Sequence, residues 1–97
     1  MAVTDKQKRY LKSLAHSLKP VVMVGNNGLT DTVTAEIDQA LAHHELIKVR
    51  ISGQERADRK TMLDEIAQRT GAELVQRIGN IGAFYRPAEE PSIQLPG

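Results

Sequence analysis

Val21–Thr30 reads VVMVGNNGLT, and the fold turns on this stretch. Val21–Val24 reads as a short buried strand, Gly25-Asn26-Asn27-Gly28 as a tight loop, and Thr30 stands where a helix N-cap belongs. The turn aims backbone N–H groups, free of side-chain bulk, from the positive end of a helix dipole, which suits an anionic oxygen such as a phosphate. The same four residues also serve any tight strand-to-helix turn. A nucleotide P-loop needs a Lys-Ser/Thr pair after its last glycine, whereas Leu29-Thr30 follows here. A KH loop joins two helices, and this one does not.

Working outward, Thr4–Leu18 predicts helix one. Thr4 and Gln7 match a capping box, and Gln7, Tyr10, Leu11, Leu14, Ala15 and Leu18 trace one face. Pro20 stops the helix at Lys19. After the loop, helix two starts behind Thr30, with Asp31 in its first turn and an inner face of Val33, Ile37, Ala40 and Leu41. Leu46–Ile51 alternates as strand two, and Ser52–Asp58 reads as a polar loop. Helix three runs from about Arg59 to Thr70 on Met62, Leu63, Ile66 and Ala67, with Gly71 as its C-cap. Glu73–Ile78 and Ile81–Arg86 flank Gly79-Asn80 as a hairpin. That register sets Ile78 against Ile81, Gln76 against Ala83, Leu74 against Tyr85, Val75 against Phe84 and Glu73 against Arg86. The fold class is α/β, in the order α-β-α-β-α-β-β, a four-stranded mixed sheet with three helices. Crossovers join the first three strands in parallel, and the hairpin adds an antiparallel pair. Residues 1–87 form one domain, and Ala88–Gly97, after the strand-ending Pro87, has the composition of a flexible C-terminal tail.

Ninety-seven residues suffice for one domain, and 40% hydrophobic with 26% charged residues suits a globular one. The absence of cysteine excludes disulfides, thiolate metal sites and cysteine nucleophiles, and it fits a reducing cytoplasm. No apolar run approaches the ~20 residues of a membrane span, and the N-terminus lacks an apolar signal core. The net charge is only +1, yet it is unevenly placed. Residues 1–20 carry five cations against Asp5 alone, while residues 31–45 carry Asp31, Glu36, Asp38 and Glu45 with no Lys or Arg. Such a domain can orient on a polyanion despite near-neutrality; the alternative is that these are ordinary solvated helix faces.

Helix one supplies the second candidate site. Lys8, Lys12, His16 and Lys19 recur at helical spacing as one stripe, with Arg9 beside it and Lys6 a turn away. A solvated face would ordinarily mix in acids; none occupies the stripe, and such a row can follow several phosphates at once. Lys48 and Arg50 share one face of strand two and add two exposed cations. Adjacent His43 and His44 point apart on a helix and cannot chelate one metal from a single face, and His44 continues the packing face. Arg86 has a cross-strand partner in Glu73. Tyr10 and Tyr85 fall on core faces, so base recognition on an aromatic platform is not expected. No nucleophile with a placed base and no paired carboxylates stand out, so neither an enzyme, a cofactor nor a small-molecule substrate is expected.

Together, TDKQKRYLKSLAH (Thr4–His16), LKPVVMVGNNGLT (Leu18–Thr30), EIDQALAHHELIKVR (Glu36–Arg50), TGAELVQRIG (Thr70–Gly79) and Tyr85-Arg86-Pro87 closely resemble the bacterial YhbY-type single-domain proteins of the CRM family of RNA-binding domains. The resemblance covers nearly all of the chain up to Pro87. It implies a fold like the C-terminal domain of translation initiation factor three. It also implies RNA contact through the loop at Gly25, Asn26, Asn27 and Gly28 and through nearby basic residues. Stand-alone bacterial members look like ribosome-associated factors of the large-subunit (pre-50S) precursor, and plant relatives with several copies act in group II intron splicing. Many relatives place a basic residue inside the loop; this chain has Asn26-Asn27, so helix one must supply more of the attraction. The expected site is therefore Lys6, Lys8, Arg9, Lys12, His16 and Lys19 with Gly25–Gly28, Thr30, Lys48 and Arg50, acting on ribosomal RNA. The alternative is a protein-interaction module that reaches the ribosome through acidic helix two; a phosphate-ester enzyme built on Gly25–Gly28 is the weaker rival.

Overall fold

Helix α1 (Asp5–Ala15) opens the computed structural model, which describes residues 3–97. The first two residues of the expected domain lie outside the described residues. The Thr4/Gln7 capping box is present, each side chain satisfying the other residue's backbone N–H. The helix ends at Ala15, three residues short of Leu18, which is 37% exposed. Strand β1 (Pro20–Val24) leads through the glycine loop to α2 (Asp31–His44), where the Thr30 hydroxyl accepts from the Val33 N–H. Then come β2 (Leu46–Ile51), α3 (Arg56–Thr70), β3 (Glu73–Ile78) and β4 (Ile81–Tyr85). Helix α3 begins three residues earlier than its periodicity indicates and without a side-chain cap. Gly71 closes it in the left-handed conformation, as expected of a C-cap glycine.

The α/β class and element order hold: the mixed sheet runs β1-β2-β4-β3, with β1 parallel to β2 and β4 antiparallel to both β2 and β3. Helices α2 and α3 cover one face over Val22, Val24, Ile47, Val49, Ile51 and Phe84. Helix α1 covers part of the other face, packing Leu11 and Ala15 on Leu46, Val75, Ala83 and Tyr85.

Further expectations are corrected. Strand β1 is not buried throughout: Val22 and Val24 are, but Val21 and Met23 are 53% and 59% exposed, because α1 leaves their face open. The hairpin register holds from Ile78/Ile81 to Gln76/Ala83 and then slips at Val75, a bulge that pairs Leu74 with Phe84 and Glu73 with Tyr85. Arg86 therefore lies past the ladder, and its guanidinium donates to Asp38 Oδ1 (2.6 Å), Thr70 O (2.7 Å) and Asp38 O (3.0 Å) instead of meeting Glu73. Tyr10 and His44 are exposed, not packed. The segment expected as a loose tail, residues 88–97, is tied down. Glu45 makes the whole α2–β2 connection at φ +65°, and its buried carboxylate accepts from the N–H groups of Ala88 (3.0 Å), Ser92 (2.7 Å) and Ile93 (3.1 Å). Ile93 and Leu95 pack beneath α1, and the Gln7 amide donates to Pro96 O.

Candidate nucleic-acid interface

Three loops meet at the end of the sheet where the parallel strands finish. Gly25–Gly28 follows β1, Ser52–Glu55 follows β2, and Gly79-Asn80 turns β3 into β4. Backbone bonds lock them together: Ser52 N–H donates to Val24 O (2.8 Å) and Ile51 N–H to Asn80 O (2.7 Å). Within the glycine loop, Gly28 N–H closes on Gly25 O (3.0 Å) and Thr30 N–H on Gly28 O (3.1 Å). The N–H groups of Asn26 and Asn27 have no such partner among the described residues. Gly28 sits at φ +74°, a conformation glycine takes without penalty. Leu29 anchors the loop in the core, and its carbonyl accepts from Arg69 Nη1 (3.2 Å). The Asn26 side chain folds over Gly53, whose missing Cβ leaves the room it occupies.

The predicted basic stripe divides in space. Lys6, Lys8, Arg9 and Lys12 lie on α1, His16 caps its C-terminus, and Lys19 lies beyond it. Lys8 and Lys12 border a shallow groove along β3 with Gln76, Arg77 and Ile78. Lys19 instead borders an apolar groove of about 560 Å³ between α1, β1 and the end of α2, lined by Leu14, Leu18, Val21 and Ile93. Only two ion pairs form among the described residues, Arg69–Glu65 and Arg86–Asp38, so every cation of α1 is unpaired. Lys48 and Arg50 stand on the α1 side of the sheet. The Lys48 ammonium donates to Leu18 O (3.1 Å), and Arg50 is exposed.

Sequence reasoning overlooked the first turns of α3, which carry Arg56, Arg59 and Lys60, the first and last of them exposed. Gly28 faces Met62 of the same helix across ordinary van der Waals distance. Arg59 Nε is shielded from solvent and without a hydrogen-bond partner. The run Arg56-Ala57-Asp58-Arg59-Lys60 was legible as basic, but that its helix sets Met62 against Gly28 depends on the fold. Acidic α2 shrinks as a surface, since Asp38 holds Arg86 and Glu45 is buried. No cluster of three or more His, Asp or Glu is placed to bind a metal among the described residues, and no helix there is long and apolar enough to cross a membrane.

A mixed four-stranded sheet, a helix of unpaired cations on one face and glycine loops gathered at one end define a small α/β domain with a cationic surface. The chain belongs to the CRS1 / YhbY (CRM) domain family, whose pattern matches residues 3–86. It is 53% identical over 94 residues to a Haemophilus influenzae protein named "RNA-binding protein", covering 97% of this chain and 95% of the relative. It is 46% identical over 95 residues to "Probable RNA-binding protein PA4753" of Pseudomonas aeruginosa, covering 98% and 91%. The solution structure of SAV1595 from Staphylococcus aureus superposes with a TM-score of 0.84 at 38% identity, covering 98% of this chain and all of that one.

Proposed function

We propose that this protein is a non-catalytic, cytoplasmic RNA-binding domain that contacts structured ribosomal RNA during assembly of the large subunit. The observation that carries the reading is the set of unpaired cations Lys6, Lys8, Arg9 and Lys12 on α1, set against Asp5 alone. A surface of cations with no internal carboxylate partners gains most by releasing the counterions of a polyphosphate. Within the loop Gly25–Gly28, which Thr30 follows, the Asn26 and Asn27 N–H groups add backbone donors ahead of α2, exposed Arg56 and Lys60 add charge on α3, and His16, Lys19, Lys48 and Arg50 continue the positive surface on the α1 side of the sheet. The RNA-binding names of close relatives support the ligand class; the resemblance to YhbY-type proteins supports the large-subunit precursor. The rival, recruitment through acidic α2, has one of that helix's three acids, Asp38, engaged by Arg86, while Glu45 just past its end holds the tail.

Crosslinking in cells followed by sequencing of the bound RNA tests this reading. Reads concentrated in large-subunit precursor RNA are expected. Reads spread in proportion to RNA abundance, or loss of association after nuclease-free removal of a protein partner, would sink it.

A further inference from the structure

We infer that the open half of the sheet is a platform for unpaired bases, so that the RNA recognised is a duplex continued by a single strand; this rests on the RNA-binding reading above. Helix α1 covers only the Leu46, Val75, Ala83 and Tyr85 end of its face. Beyond it, strand register lines up Met23, Arg50, Ile81 and Ile78 as one row across all four strands. Met23 is 59% and Ile78 65% exposed, an unusual place for two large apolar side chains. Behind the row, Lys48, Gln76 and Ala83 complete a shallow cavity of about 140 Å³ with Ile78 and Ile81.

Charge selects the occupant. Strands β1, β2 and β4 contain no acidic residue, while Lys48 and Arg50 rise from the middle of the face. Lys8 and Lys12 border it along β3. An apolar strip flanked by unpaired cations matches a single strand, whose bases have apolar faces and whose phosphates are anionic. The aromatic rings of Phe84 and Tyr85 are buried, so the stacking surfaces are the Arg50 guanidinium and the Met23 thioether, both suited to a flat π-system. The Gln76 amide and the Lys48 ammonium offer hydrogen bonds to a base edge at the cavity. Met23 lies two residues before Gly25, about 7 Å along the strand. A strand leaving a duplex held at the glycine loop therefore reaches the row directly.

The test compares two RNAs with the same duplex, one blunt and one with an unpaired overhang of about six nucleotides, against the wild-type protein and a Met23→Ser/Ile78→Ser variant. Both side chains are exposed, and a thermal melt checks that the variant is folded. The overhang is expected to tighten wild-type binding by at least about fivefold. The variant should lose that gain and keep its affinity for the blunt duplex. Photocrosslinks from 4-thiouridine in the overhang should map, on the wild-type protein, to peptides of β1 and β3. Equal wild-type affinity for the two RNAs, an undiminished gain in the variant, or crosslinks confined to α2 and α3 would each overturn the inference and leave RNA binding standing. So would a co-purifying protein lost from the variant in the absence of any overhang gain. If neither RNA binds, the RNA-binding reading itself fails, and this inference with it.

Discussion

Replacing Lys8 and Lys12 together by Gln removes two of the four cations of α1 and keeps most of each side-chain stem. Neither ammonium makes an ion pair, Lys12 is exposed and Lys8 half-buried, so stability should change by no more than about 0.5 kcal/mol per site. The effect on RNA is larger. If Lys6, Lys8, Arg9 and Lys12 each neutralise a phosphate, log affinity falls with log salt at a slope near ~3.6, and wild-type affinity drops roughly 150-fold between ~50 and ~200 mM salt. Two phosphates fewer reduce the slope to about 1.8 and the drop to roughly 12-fold. The deficit of the variant therefore shrinks about tenfold across that range, a behaviour lost base contacts would not produce. Fluorescence anisotropy titrations at four or more salt concentrations, with melts on the same samples, read both quantities. Parallel salt slopes for variant and wild type would refute the phosphate assignment, and a large fall in melting temperature would refute the placement of these lysines off the core.

Gly28→Val should weaken RNA binding more than Asn26→Ala. Gly28 holds φ +74° within the glycine loop, where a β-branched residue costs about 1–2 kcal/mol, while the Asn26 side chain is folded onto Gly53; equal affinities at a temperature where both are folded would reduce the loop to a turn. Glu45→Gln should cost about 2 kcal/mol by weakening three charge-assisted bonds to the tail, lowering the melting temperature by roughly 8–16 °C. Burial alone would raise the Glu45 pKa, but the backbone donors of Ala88, Ser92 and Ile93 hold it below the usual carboxylate range. Its stabilisation is thus complete above the unfolded value of about 4.3 and lost as pH falls through the lower folded value. Melts across acidic pH should show wild type losing its advantage over the variant there, and an advantage independent of pH would refute the staple. Arg86→Met should destabilise by about 1.5–3 kcal/mol in urea unfolding, since Asp38 and the Thr70 carbonyl lose their donor; a silent substitution would show that this bridge between α2, α3 and β4 contributes nothing net.

What the chain spells locally was legible from its residues. Capping at Thr4 and Thr30, the stop at Gly71 and the periodicities of 3.6 and 2 depend on neighbours three or four positions away, so they fixed the elements and their order without the fold. Lys8 and Lys12 were equally plain as neighbours, because an i,i+4 pair on a helix shares a face by spacing alone, whereas Lys19 lies past the end of α1. Tertiary structure decided the rest. Val21 and Met23 read as core because an apolar run does not say which of its two faces will be covered, and α1 proved too short to reach them. Glu45 read as one more surface acid, yet the one-residue helix-to-strand connection turned it inward, where three donors more than forty residues away receive it. The bulge at Val75 moved Arg86 from Glu73 to Asp38. Helix α3, which carries Arg56 and Lys60, meets the glycine loop where Met62 faces Gly28, a contact that no residue spacing shows. Residue spacing determines an element and its chemistry; which faces meet, and which cations share one surface, is a property of the closed sheet and its helices.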